Sequence, residues 1–171
     1  MLRCGRHVDK PRPACPPSRP SVTQATSFQI HANCVVLDGA GVLLRGASGA
    51  GKSDLALRLI ERGAVLVADD RVDLVSRGVA LIASAPAALR GRMELRGVGI
   101  VDMPSMPEAP VVLLVDLVDA DAVERLPAPE AVVLLGHAVP RLALPAFEAS
   151  TPAKIAVALR HGRAAAGRSA A

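Results

Sequence analysis

Eight consecutive residues, Gly46-Ala47-Ser48-Gly49-Ala50-Gly51-Lys52-Ser53, constrain this chain more than any other stretch. They satisfy the Walker A pattern G-x-x-x-x-G-K-[ST] at each fixed position. Holding a polyphosphate requires these residue types. Glycines let the backbone curl so that successive N–H groups face one anion, a lysine reaches the β- and γ-phosphates, and the following hydroxyl ligates Mg²⁺. The flanks agree. Val42-Leu43-Leu44 precedes the loop as a strand should, and Asp54-Leu55-Ala56-Leu57-Arg58-Leu59-Ile60 follows with helical spacing. The loop therefore opens a helix whose N-terminus favours anions. A glycine-rich turn with an incidental lysine would not require that strand–loop–helix order.

At 171 residues the chain is long enough for one domain with a real core. Phe28 and Phe147 are its only Phe, Tyr or Trp residues, so the core must be built from Ala, Val, Leu and Ile. That scarcity excludes the row of aromatic platforms on which single-stranded nucleic acids stack. The net charge of +4 is carried by the ends: residues 1–20 hold five Lys/Arg and one Asp, and residues 154–171 hold four Lys/Arg and no acid. Each end is thus +4 and the segment between them −4, which leaves no basic stripe for a duplex. Cys4, Cys15 and Cys34 lack metal-ligand spacing and read as reduced thiols of a cytoplasmic protein. No apolar run approaches the roughly 18 residues of a membrane span, and the first twenty residues lack the apolar stretch of a secretory signal.

The pattern along the chain predicts a disordered leader over 1–27, a domain over 28–161 and a flexible tail over 162–171. Strands are expected at Phe28–His31 and Cys34–Leu37, with a turn at Asp38-Gly39-Ala40-Gly41 into Val42–Leu44. A helix of about ten residues after the loop should end at Arg62-Gly63, with a cation in its last turn and glycine past its end. Ala64–Ala68 reads as a buried strand delivering Asp69-Asp70 at its end. Short strands follow at Val72–Val75 and Val79–Ala83, then a helical turn over Ala87–Arg90 and the segment Met93–Val101. Pro104–Pro110 is expected to be a loop, because its prolines remove donors and fix φ. Val111–Val118 and Ala131–Leu135 are further strands, and a final helix starts at Thr151 with Pro152 in its first turn. His137 is expected in an exposed loop, Cys34 in the core, and Asp116 as a strand-end acid or a minor partner of the site.

Phosphoryl transfer needs metal ligands, a group to orient or deprotonate the acceptor, and positive charge at the transferring group. Asp69 and Asp70 are adjacent at a strand end, so in extended geometry they face opposite sides. One can hold metal while the other faces an acceptor hydroxyl. The residues alone do not say which.

Taken together, GASGAGKSDLALRLIERG, LVADDRV, MELRGVGIVDM and the His31 segment resemble the C-terminal catalytic domain of the HPr kinase/phosphorylase family over roughly residues 28–160. The resemblance implies an α/β P-loop nucleotide-binding domain with a mixed, partly antiparallel sheet, of the HPr kinase and PEP carboxykinase-like kind. It implies ATP and Mg²⁺ as cofactors and a serine of an HPr-type phosphocarrier protein as acceptor. It implies a phosphate cradle formed by Gly46, Ala47, Ser48, Gly49, Ala50, Gly51, Lys52 and Ser53, with Arg96 in the same signature as Glu94. It implies metal ligation by Ser53, Asp69 and Glu94, and catalysis by Asp70 as general base, with Asp69 beside it and His31 stabilising charge near the phosphates. The leader stands where larger members carry a further domain, as in the short proteobacterial form. The segment after the ELRGxGI signature, Met103–Pro110, carries no basic residue where larger members have an arginine-bearing loop implicated in phosphorolysis, so only the forward reaction is expected. A two-component sensor system as a further partner and a homo-oligomer are compatible with this reading. Two rivals share the cradle: an ATP-binding regulatory module without catalysis, and a kinase for a small molecule.

Overall fold

The computed structural model describes residues 27–169, and side chains as far as Gly162. The predicted leader, apart from Ser27, and the end of the predicted tail lie outside the described residues.

The chain opens with strand β1 (Ser27–Leu37), which turns through Asp38 and Gly39, both at positive φ, into β2 (Ala40–Arg45). The register from Ala32↔Arg45 to Leu37↔Ala40 is the antiparallel hairpin that the Asp-Gly turn predicts. Helix α1 (Lys52–Ile60) follows the phosphate loop. Gly63, at φ +95°, reverses the chain while the Ala64 amide donates to the Leu59 carbonyl at 3.0 Å, so the helix stops where glycine can adopt the left-handed conformation. Next come β3 (Val65–Ala68), β4 (Arg71–Arg77), β5 (Ala80–Ser84) and a 3₁₀ turn at Ala87–Leu89. The hairpin β6 (Arg92–Leu95) and β7 (Gly99–Asp102) forms a separate two-stranded sheet. Strands β8 (Glu108–Leu117), β9 (Glu130–Leu134) and β10 (His137–Leu144) lead to α2 (Thr151–Ser169), which continues past the Arg160 to which the sequence pattern carries it.

Two long strands organise the sheet by changing partners along their length. The first half of β1 pairs with β4, and the second half pairs with β2 and β3. The start of β8 pairs with β5, and the remainder runs parallel to β2 and β10. The result is the mixed, partly antiparallel sheet expected of the fold class. It splits the core into two populations. Val35, Val42, Leu44, Leu66 and Val115 pack against Leu55 and Leu59 of α1 and Ile155 of α2. Alternate residues of the same strands, including Cys34, Leu43 and Leu114, pack toward Val72 and Leu74 of β4 and Leu81 and Ala83 of β5. Cys34 is in the core as predicted, and burial pushes its thiol up to about 12.

One sequence expectation fails at a proline, and one proline-bearing strand lay outside the expected elements. Glu108, Ala109 and Pro110 belong to β8 rather than to a loop, and β10, which contains Pro140, was not foreseen. Both prolines stand where a ladder begins. Pro110 pairs with Ile82 just before the β2 ladder starts at Gly41↔Val111, and Pro140 pairs with Ala131 just before the β8 ladder starts at Arg141↔Leu114. A missing donor is tolerated at such positions. His137 is likewise not in a loop: it opens β10 and shares a hydrogen bond of 2.8 Å with Ser76 Oγ on β4.

Gly41 shows how closely β2 and β8 approach, because a Cβ there would sit 2.4 Å from the Pro110 carbonyl oxygen. Gly41→Ala should lower the unfolding free energy by about 1–3 kcal/mol, as overpacking against backbone does. Urea denaturation checks this, and an unchanged midpoint would refute the contact.

Candidate active site

The site sits where β2, α1, β3 and the β6–β7 hairpin converge. Parallel strands β2 and β8 end side by side, and Gly46 leaves β2 packed so tightly against Leu117 that a Cβ would lie 3.1 Å from its side chain. From there the loop turns through Gly49 and Gly51, at φ +81° and +90°. Gly51 is irreplaceable on two counts: its φ favours glycine, and a Cβ would fall 2.7 Å from Ala146 and 2.8 Å from Phe147. Ala50 packs against the core, and its amide donates to the Ala47 carbonyl.

Lys52 is buried at the start of α1, and its Nζ donates to the Gly46 and Ala47 carbonyls at 2.9 Å each. Burial pulls its pKa below the ordinary lysine value, and the charges of Asp70 and Asp69 only partly oppose this. The ammonium is thus held on its own loop by two neutral acceptors. Anionic phosphate oxygens are stronger partners for it.

The two adjacent aspartates separate sharply. Asp69 is buried, and its Oδ1 accepts from Ser53 Oγ at 3.0 Å and from Asn33 Nδ2 at 2.5 Å, while its Oδ2 accepts from the Glu94 amide at 3.0 Å. Asp70 is exposed and lies 3.0 Å from His31 Nδ1. The divergence expected from strand alternation is present, but its cause is different. β3 ends at Ala68, and Asp70 adopts φ +66°, a left-handed conformation that Asp tolerates better than most residues. Two bonds hold it there: its amide donates to Asn33 Oδ1, and its carbonyl accepts from the Ala32 amide.

Asn33 is the residue that sequence reasoning missed. It is fully buried on β1, and its amide group touches Ser53, Asp69 and the Asp70 backbone. One signal was available. It is the lone polar residue in the buried run Ala32–Leu37, on the face that the β1 alternation turns toward α1.

His31, Lys52, Ser53, Asp69 and Asp70 line a cleft of about 500 Å³ together with Ser48, Gly49, Gly51, Glu94, Arg96 and Phe147. Every catalytic and metal residue inferred from sequence is therefore at this cleft, and so is Arg96. Of the cradle, Gly46 and Ala47 contribute carbonyls to Lys52 rather than cleft surface. Glu94 meets Asp69 through its backbone amide, and its side chain is exposed. A second concavity, between β5, β8 and β10, has His137 as its sole titratable lining residue.

The donors at Asp69 and Ser53 fit Mg²⁺. This ion keeps much of its water and is held by one or two carboxylates plus substrate phosphates rather than by a protein cage. Among the described residues no three His, Cys, Asp or Glu side chains cluster as metal ligands. Asp116 belongs elsewhere. It is clamped by Arg45 (Nε to Oδ1, 2.6 Å) and Arg141 (Nε to Oδ2, 2.5 Å), and Arg141 also binds Glu130.

Comparison with known proteins now bears on this geometry. Residues 23–166 match the family described as the HPr serine kinase C-terminal domain. The chain belongs to this family. Among curated relatives, the HPr kinase/phosphorylase of Lactobacillus acidophilus is 51% identical over 75 residues, covering 43% of this chain and 23% of that protein. That of Clostridium tetani is 46% identical over 82 residues, covering 48% and 27%. The chain thus aligns with about a quarter of the length of these relatives. A structure of the Hpr(Ser) kinase/phosphatase from Coxiella burnetii matches with a TM-score of 0.74 and 31% identity, covering 82% of this chain and 93% of that one.

Two variants probe this wiring. Asn33→Ala should cost about 1–3 kcal/mol in urea denaturation, because the buried Asp69 carboxylate and the Asp70 amide each lose a partner. A loss no larger than that of an exposed Asn→Ala change would show that the amide holds nothing. For Asp116, burial raises the pKa, but hydrogen bonds and charge from Arg45 and Arg141 outweigh it and leave the carboxyl below the usual range. Its contribution is then present above the unfolded-state pKa of about 4 and is lost as pH falls through the lower folded value. Below about pH 4, stability should fall more steeply with decreasing pH in wild type than in Asp116→Asn, as measured by urea titration across pH.

Proposed function

We propose that this domain is a cytoplasmic, ATP- and Mg²⁺-dependent kinase that phosphorylates a serine of an HPr-type phosphocarrier protein, working in the forward direction. The observation that carries the reading is the joint position of Lys52, Ser53, Asp69 and Asp70 at one cleft in a member of this family. No helix among the described residues is long and apolar enough to cross a membrane.

Each residue has a distinct task. Lys52 leaves the Gly46 and Ala47 carbonyls for the β- and γ-phosphates, while the amides of Ser48, Gly49, Gly51, Lys52 and Ser53, which line the cleft, cradle them. Ser53 and Asp69, already bonded to each other, would hold Mg²⁺, with the exposed Glu94 carboxylate at the same cleft as the remaining protein ligand. The ion would neutralise charge on the β- and γ-phosphate oxygens. Asp70 faces the cleft as an exposed carboxylate and accepts the proton as the serine oxygen bonds to the γ-phosphorus and the bond to ADP breaks. His31 orients Asp70 through the 3.0 Å contact and places a second polar group beside the transferring phosphoryl. Arg96, on the β6–β7 turn, supplies cationic charge from the opposite wall.

The test is transfer of label from γ-labelled ATP to an HPr-type protein. Wild type should transfer, Lys52→Ala should lose most of its activity, and Asp70→Asn should fall by about 10²–10⁴-fold while still binding ATP. Undiminished transfer by Asp70→Asn would remove the base. ATP binding without transfer by wild type would identify a regulatory nucleotide sensor, and label on a metabolite would identify a small-molecule kinase.

A further inference from the structure

Phe147 is one of only two Phe, Tyr or Trp residues in the chain, and among the described residues it is the one that lines the cleft. The residue is 69% exposed, although an aromatic ring is among the groups that gain most from burial. Its position is fixed. Ring atoms Cζ and Cε1 lie only 2.8 and 3.0 Å from where a Cβ on Gly51 would stand, so one edge of the ring rests on the phosphate loop.

The segment that presents the ring is tied down on both sides. Arg58 of α1 donates to the Ala146 carbonyl and, at 3.2 Å, to the Glu148 carbonyl, bracketing Phe147. Buried Thr151 Oγ1 donates to the Pro145 carbonyl at 2.6 Å, and Lys154 Nζ donates to Glu148 Oε2 at 2.6 Å. The chain therefore holds an apolar ring out in solvent beside the phosphate cradle instead of letting it fold inward. Leu57, on α1, lines the cleft as well, so the apolar surface continues from the ring along the helix.

We infer that Phe147 is the platform on which the base of the bound nucleotide stacks. This rests on the nucleotide-binding reading above and adds the subsite that reading leaves unassigned. The loop fixes the phosphates, the ribose and base must leave the cradle, and one planar apolar face anchored on Gly51 stands at its rim. A single ring suffices for a single base, because every base offers a π-face.

Isothermal titration of the full chain with Mg²⁺ and either ATP or inorganic tripolyphosphate tests this. Wild type should bind ATP more tightly than tripolyphosphate. Phe147→Ala should weaken ATP by about ten-fold and leave tripolyphosphate unchanged, and Phe147→Trp should hold ATP at least as tightly as wild type. Unaltered ATP affinity in Phe147→Ala would overturn the inference, and so would an equal loss for both ligands, which would show that the ring merely props the loop. Equal wild-type affinity for the two ligands would overturn it while keeping the phosphate cradle. Binding of neither ligand by wild type would instead defeat the nucleotide reading itself.

Discussion

One buried amide joins the parts of this site. Asn33 lies on β1, yet its side chain reaches Ser53 at the start of α1, Asp69 beyond β3 and the backbone of Asp70. Asp69 in turn accepts the Glu94 amide from β6. Four segments separated by many residues are fixed to one another through a few polar atoms. No buried side-chain polar atom among the described residues is left without a partner. Such a network is valuable only when complete, since each unpaired member would carry a desolvation penalty. Completeness here sets the carboxylate, the hydroxyl and the left-handed turn at Asp70 in one geometry before any ligand arrives.

That preorganisation depends on the sheet. β1 carries Asn33 and, two residues earlier, His31, on the stretch where the strand passes from its β4 pairing to its β2 and β3 pairings. The same strand therefore supplies both the internal tie and the partner of Asp70. β8 divides in the same way, and its parallel half lies beside β2 up to Asp116, opposite Arg45. The Arg45–Asp116–Arg141 cluster fixes the strand ends immediately before Gly46, on the sheet face turned away from α1. The phosphate loop thus leaves a strand end secured by charge on one face and by leucines on the other.

The cleft has a rigid wall and a presented rim. Lys52 is bonded to the Gly46 and Ala47 carbonyls, and Asp69 to Ser53, Asn33 and the Glu94 amide, so each buried charge has its partners within the protein. On the rim, Arg58 links α1 to the carbonyls on both sides of Phe147. The helix that follows the phosphate loop therefore also positions the apolar group next to it.

Much of this was readable in the chain. The loop pattern, the Asp-Gly hairpin, the glycine stop after α1 and the pair Asp69-Asp70 are all local signals, because each arises from backbone geometry or spacing within about ten residues. The resemblance implied roles for Asp70, Glu94 and His31, and the structure brings those residues to one cleft. The remainder was decided by tertiary contact. Pro110 reads locally as a strand breaker, and only the start of the neighbouring β2 ladder makes it admissible in β8. Asp69 and Asp70 are identical side chains in adjacent positions. One became a buried tie and the other an exposed carboxylate because Asn33, from a strand more than thirty residues earlier in the chain, binds the first carboxyl and the second amide. The sequence by itself determined a phosphate-loop pattern set between a strand and a helix. Which carboxylate is buried and which meets the cleft was set by the fold, since burial and hydrogen-bond partnership belong to distant segments brought together and not to the residues themselves.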